Sequence, residues 1–171
     1  MKIVNLVGSG SLNQVANLDA LAHAHLIDYD PNYYHGGYIK TCNHPITLYR
    51  SGKYIITGSK SFEDLIATYR QMKDVLIAQL DVSLFDEPKV RNIVCTSDYG
   101  NPLDLTDVYI RLLKEGFEAE YELESFPGLI LRLPECTYNI FSSGKFLILG
   151  CTNEKDAEVA EGHLIELIGK L

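Results

Sequence analysis

Alternating side-chain character marks the most regular stretches of this chain. In Lys53 to Thr57, Tyr54 and Ile56 fall on one face of an extended segment and Ile55 and Thr57 on the other, because successive strand side chains point to opposite faces. Phe146 and Ile148 oppose Leu147 and Leu149 in the same way. The opening strands repeat the pattern: Asn5, Val7 and Ser9 share a face, as do Asn92, Val94 and Thr96. Elsewhere the period lengthens. Phe62, Leu65, Ile66, Tyr69, Met72 and Leu76 recur at helical spacing behind a Ser61/Asp64 cap, and Asn153 with Asp156 repeats the cap before a C-terminal helix. Shorter helices are predicted over roughly Asn17 to His25 and over Leu105 to Lys114, and two S-G-K triplets predict hairpin turns.

These elements occur twice. Shifting the sequence by 92 positions lays Tyr49 to Asp64 (YRSGKYIITGSKSFED) on Phe141 to Asp156 (FSSGKFLILGCTNEKD), with six of sixteen positions identical. The same shift pairs YDPNYYHGGYIK, from Tyr29, with YELESFPGLILR, from Tyr121. Near the start of each half, Ile3 to Val7 matches Val90 to Val94 at a shift of 87, so the second half gains five residues in between, an insertion expected in a loop. The chain therefore reads as a first repeat (1–80), a linker (81–88, DVSLFDEP) and a second repeat (89–171). Strand runs with helices at their ends predict an α+β fold, an antiparallel sheet with helices on one face. The other face is then bare, neutral and partly apolar, which points to a binding partner.

Composition narrows the partner. The mix of apolar and charged residues is that of a soluble globular protein, no stretch approaches a membrane helix, and Met1 leads directly into a strand pattern with no secretory signal, which predicts an intracellular protein. Cys42, Cys95, Cys136 and Cys151 are scattered without metal-ligand spacing, so no metal and no disulfide framework is expected. The net charge of −8 opposes nucleic-acid binding unless the bases collect at the bare face. Lys40, Arg50, Lys53, Lys60, Arg132 and Lys145 fall on strands and turns while acids crowd the helices and linker, which predicts a positive rim on an acidic body.

The N-[IL]-V blocks, E-S-F-P-G-L-I-L-R, S-G-K followed by an apolar strand and Gly, and the twofold repetition together resemble the TATA-box-binding protein family core, over nearly the whole chain. The resemblance implies a saddle: a curved ten-stranded antiparallel sheet with four helices on its convex back, related by a pseudo-twofold axis. It implies a non-enzymatic general transcription factor, without cofactors, that kinks A·T-rich duplex DNA through the minor groove. Intercalating rings fall on Tyr34, Tyr49, Phe126 and Phe141. Groove-floor contacts fall on Asn5, Val7, Ser9, Ile55, Thr57, Asn92, Val94, Thr96 and Leu147, and phosphate contacts on Lys40, Ser51, Lys53, Lys60, Arg132, Ser143 and Lys145. Acidic contacts for a B-type transcription factor, which brings in RNA polymerase, fall on Glu122 and Glu124. The concave face also suits a weak homodimer, and the location is the cytoplasmic nucleoid of an archaeon or a eukaryotic nucleus. A core without an N-terminal extension looks more archaeal or viral. This sequence departs from the family at Tyr34 and Tyr49, where phenylalanine is usual, and at Thr47, Asn139, Leu149 and Thr152, which points to altered base preference.

Two rivals compete. Val7 to Asn13 (VGSGSLN) follows a strand, with Asp28 and Asp30 about 20 residues on, as in a dinucleotide fingerprint, although Asn13 stands where its third glycine belongs. The tyrosines, Thr47 and Asn139 also fit a saddle that binds only proteins. His23, His25, His35, His44 and His163 lack a nucleophile or carboxylate at a suggestive spacing, so no catalytic set is expected.

Overall fold

The computed structural model describes all 171 residues, Met1–Leu171. Its elements run β1 (Lys2–Ser11), α1 (Leu18–His23), β2 (Gly36–Ile39), β3 (Ile46–Tyr49), β4 (Lys53–Ser59), α2 (Phe62–Leu76) and a short 3-10 turn (Val82–Leu84). There follow β5 (Lys89–Asp98), α3 (Leu105–Lys114), β6 (Glu118–Glu120), β7 (Leu129–Arg132), β8 (Thr137–Ile140), β9 (Lys145–Cys151) and α4 (Glu154–Lys170). The chain divides into two compact units, a first of Asn5–Arg91 and a second of Met1–Val4 with Asn92–Leu171.

In the first unit the strands are ordered β2-β3-β4-β1, all antiparallel. One face is buried. Leu6, Ile46, Leu48, Tyr54 and Ile56 are fully covered there, together with Leu65, Met72 and Leu76 of α2, and each such side chain contributes about 1.5–3 kcal/mol. The capping hydroxyl predicted for α2 is in place, with Ser61 Oγ accepting from the Asp64 N–H at 3.1 Å. Buried phenols find backbone partners: Tyr54 donates to the Asp86 carbonyl at 2.7 Å and Tyr69 to the Phe85 carbonyl at 3.1 Å. The Asn13 and Gln14 amides donate to the Leu84 and Asp81 carbonyls. Residues 81–86 are thus hydrogen-bonded onto this unit.

The second unit has the order β5-β9-β8-β7-β6, again antiparallel throughout. Ile93, Leu129, Leu131, Tyr138, Ile140, Phe146 and Ile148 form its covered face with Ala157, Ala160 and Leu164 of α4. Asn153 Oδ1 caps α4 by accepting from the Asp156 N–H at 2.9 Å, and Tyr138 donates to the Ala160 carbonyl at 2.9 Å.

Three details differ from the sequence reading. Nine strands form, not ten, because the first unit matches β6 only with an isolated bridge, Asp28 to Tyr38. The five-residue gain sits largely in a helix: α3 has ten residues and α1 six. Both helices end in the same way, with the Leu26 N–H reaching the Leu21 carbonyl and the Phe117 N–H reaching the Leu112 carbonyl, behind a left-handed His25 or Gly116. An insertion that completes a helical turn keeps this ending intact. The third difference concerns Val7–Asn13. Gly8 and Gly10 lie inside β1 rather than in a phosphate-cradling turn, and an added Cβ would strike Leu65 at 2.8 Å or the Tyr54 hydroxyl at 2.4 Å. These glycines make room for core side chains, which removes the geometric basis for the dinucleotide reading.

Candidate nucleic-acid interface

The face of each sheet opposite its helices holds the residues singled out above. Asn5, Val7, Ser9, Thr47, Tyr49 and Ile55 are partly exposed in the first unit and Thr57 is exposed; Asn92, Val94, Thr96, Asn139, Phe141, Leu147 and Leu149 are partly exposed in the second. None is tucked beneath a helix.

The two asparagines are held identically. Each opening strand breaks register with its neighbour, between Leu6 and Gly8 in β1 and between Ile93 and Val94 in β5. Opposite these bulges, Gly58 and Gly150 sit at φ +95° and +104°. Asn5 Oδ1 accepts from the Gly58 N–H at 2.9 Å, and Asn92 Oδ1 from the Gly150 N–H at 2.9 Å. Because the partner is a donor, the bonded atom must be the amide oxygen. Each amide nitrogen, with two donors and no protein partner, is left over. A strand asparagine that caps a bulge is doing structural work, yet the same bond orients its donors.

The ring pairs are also matched. Tyr34 and Tyr49 lie edge to face with centroids 6.4 Å apart and planes at 61°; Phe126 and Phe141 do so at 5.8 Å and 63°. Beneath each pair lies a glycine. A Cβ on Gly36 would stand 2.9 Å from the Tyr34 ring and 3.1 Å from the Tyr49 ring, and one on Gly128 would stand 2.7 and 3.1 Å from Phe126 and Phe141. Both glycines occupy the same place in the repeated block, a signal the sequence reading passed over. The tips differ, since the Tyr34 and Tyr49 hydroxyls are 3.0 Å apart. That hydrogen bond, with burial next, pushes the Tyr49 hydroxyl up to about 12, so the phenol stays neutral at any physiological pH.

Ser51, Lys53, Ser143 and Lys145 sit at the two hairpin turns, all exposed. The turns are fixed by Gly52 (φ +80°) and Gly144 (φ +89°), where an added Cβ would strike the Gln14 or Asn101 carbonyl oxygen at 2.1 or 2.2 Å. Lys53, Lys60 and Lys145 make no ion pair. The rest of the expected positive rim is not free. Lys40 pairs with Asp28 at 2.8 Å, Arg50 with Asp19 at 2.7 Å, and Arg132 with Glu120 at 2.8 Å. The hydrogen bond to Asp28 raises the Lys40 pKa, and that to Glu120 raises the Arg132 pKa. These acids were invisible as neighbours because chain distance separates them from their partners.

Two cations, Arg91 and Lys89, were missed. Arg91 Nε donates to Ser9 Oγ at 2.8 Å, beside a recess of about 530 Å³ that Tyr49, Lys53, Ile55 and Lys89 also line. The first copy has Val4 at the place matching Arg91, so the repetition gave no hint of that residue. Glu122 and Glu124 are exposed at a turn rather than on a strand, where the Glu122 carbonyl accepts from the Ser125 and Phe126 N–H groups at 3.0 and 2.9 Å. Asp30 does the same for Tyr33 and Tyr34, so the two copies present their rings through one kind of turn.

Comparison with known proteins decides the family. The sequence pattern of "Transcription factor TFIID (or TATA-binding protein, TBP)" matches residues 1–78 and again 87–171. The chain belongs to this family. The TATA-box-binding protein C of Halobacterium salinarum is 41% identical over 94% of this chain and 91% of its own length. The TATA-box-binding protein of Haloarcula marismortui is 35% identical over 99% of this chain and 93% of its own. Among solved structures, Methanococcus jannaschii TBP superposes with a TM-score of 0.84 at 32% identity, covering 99% of this chain and 98% of that one. The α+β fold is therefore that of the TATA-binding proteins, a family of transcription factors rather than of enzymes. No helix is long and apolar enough to cross a membrane.

Proposed function

We propose that this chain is a general transcription factor of the archaeal type, which grips A·T-rich promoter duplex in the minor groove, kinks it and recruits a B-type factor and RNA polymerase. The observation that carries the reading is the pair of asparagines whose oxygens each accept a bulge N–H, which leaves both donors of each amide nitrogen without a protein partner. The minor groove presents the adenine N3 and thymine O2 acceptors, with the guanine amino group as the one competing donor. In each unit, amide donors on a face that also carries apolar side chains, Val7 and Ile55 in the first and Val94 and Leu147 in the second, suit that floor and reject guanine.

Tyr34, Tyr49, Phe126 and Phe141 act as wedges, Asn5, Ser9, Thr57, Asn92 and Thr96 join the floor, and Ser51, Lys53, Lys60, Ser143 and Lys145 take phosphates. Lys40 and Arg132 join them only by exchanging an acid for a phosphate, and Arg91 adds a contact near Ser9. The two repeats, joined by 81–88, use the same chemistry twice, in the cytoplasmic nucleoid. Glu122 and Glu124 dock the B-type factor; reversing both to Arg abolishes the ternary complex and leaves the binary one. Weak self-association through the bare face competes with DNA. A gel-shift titration of an A·T-rich duplex against a G·C-rich control, at two salt concentrations, tests the whole. The A·T-rich duplex is bound more tightly and both affinities fall with salt; no preference at either concentration overturns the proposal and favours a saddle that binds proteins alone.

A further inference from the structure

The Tyr34–Tyr49 pair has more hydrogen-bonding capacity than its own contact uses. Two phenols carry two protons and four lone pairs, and the 3.0 Å contact between them takes one of each. One donor and several acceptor sites remain at the tip. The pair is braced from behind: Tyr38 stacks on Tyr34 at 5.8 Å and 18°, and His35 stacks on Tyr49 at 5.4 Å and 30°. In the second unit the corresponding places hold Pro127 and Ile130, and the tips of Phe126 and Phe141 carry no polar atom.

Resting on the DNA reading above, we propose that the Tyr34–Tyr49 hydroxyl pair is a base-specificity element: the first unit's wedge accepts a hydrogen bond from a guanine amino group and so tolerates a G·C pair at the step it enters. The second unit's phenylalanine wedge does not. All four base pairs offer a minor-groove acceptor, but only G·C adds a donor. A phenyl edge leaves that amino group without a partner, and an unpaired buried donor is costly. A phenol oxygen pairs with it. The remaining phenol proton serves the acceptors common to every pair, so an A·T step is accepted equally. A promoter with G·C at one end is then bound with the tyrosine unit turned to that end, whereas G·C at both ends puts one against phenylalanine.

The test uses the full chain and three duplexes, identical except for G·C at neither, one or both of the kinked end steps, titrated by fluorescence anisotropy. For the wild type, one G·C end changes affinity less than about threefold and two weaken it roughly tenfold, the usual cost of one wrong pair. In Tyr34→Phe/Tyr49→Phe a single G·C end already costs roughly tenfold. The reciprocal Phe126→Tyr/Phe141→Tyr tolerates both ends, which keeps the test independent of any folding defect in the first variant. A wild type that loses tenfold on one G·C end, with the double phenylalanine variant unchanged from it, overturns the proposal while leaving DNA binding intact. Failure to bind even the all-A·T duplex overturns the underlying reading as well.

Discussion

Tyr34 and Tyr49 meet through a hydrogen bond between their hydroxyls, whereas Phe126 and Phe141 meet only edge to face. The backbone around them scarcely differs. Both pairs rise from a turn whose acidic residue accepts two N–H groups, and both pack over a glycine. Duplication therefore preserved the frame, in which a small change breaks a close contact, and let chemistry drift at the tips, where each added hydroxyl meets the other.

That contrast can be broken in the frame or at the tips. The largest effect is expected in the frame. Gly52→Ala and Gly144→Ala each force a positive φ on alanine and drive its Cβ into a carbonyl oxygen, so each lowers unfolding free energy by about 3 kcal/mol in urea titrations. Unequal losses would show that the two turns are not equivalent. Next come Asn5→Asp and Asn92→Asp, which keep the bulge-capping oxygen but delete the donors and add a charge. DNA affinity falls by about 2–3 kcal/mol in each, while the urea midpoint barely moves. A large stability loss with DNA binding retained would make the asparagines purely structural.

The rings proposed as wedges should rank below these. Phe126→Ala and Phe141→Ala reduce DNA bending, read by energy transfer between duplex ends, more than Tyr34→Ala does, with affinity losses of about 1–3 kcal/mol for the phenylalanines. The reason is desolvation: a phenol gives up bound water on entering a base stack, and a phenyl ring does not. Equal losses would make the polar wedge fully competent. Among the cations, Lys53→Gln and Lys145→Gln each lower the slope of log affinity against log salt by about 1. Lys40→Gln and Arg132→Gln lower it less, because Asp28 and Glu120 already engage those charges.

The smallest effect concerns pH and is confined to the first unit. Asp64 lies below the usual carboxylate range, first because it accepts the Lys60 N–H and next because of its hydrogen bond with His44, 2.6 Å away. A depressed carboxylate stabilises the fold at pH values above its unfolded value near 3.8, and that contribution is lost as pH falls through the folded value. Asp64→Asn should therefore cost about 0.5 kcal/mol at neutral pH, with the deficit vanishing in acid. A deficit that persists at low pH would trace the cost to the lost cap geometry instead.

Local signals in the sequence carried most of the fold. Caps at Ser61 and Asn153, alternation in β4 and β9 and the S-G-K turns all act within a few residues, so they survive in a linear reading. The bare faces followed from the same alternation. What escaped depends on contacts across space. The acids that hold Lys40, Arg50 and Arg132 belong to separate segments, Arg91 reaches Ser9 from the far end of the first unit, and the hydroxyl contact requires the turn that carries Tyr34 to fold beside the end of β3. The longer α3 escaped for another reason: matching blocks fix how many residues were added between them but not whether those residues coil or loop.

The connector between the copies has a consequence of its own. Phe85 is 8% exposed and Tyr54 and Tyr69 hold the carbonyls around it, so the segment works as a stopper in the first copy's apolar interior. Proteolysis that clips the chain after Asp86 would leave that stopper seated, while trimming back to Leu80 would uncork the interior and admit water.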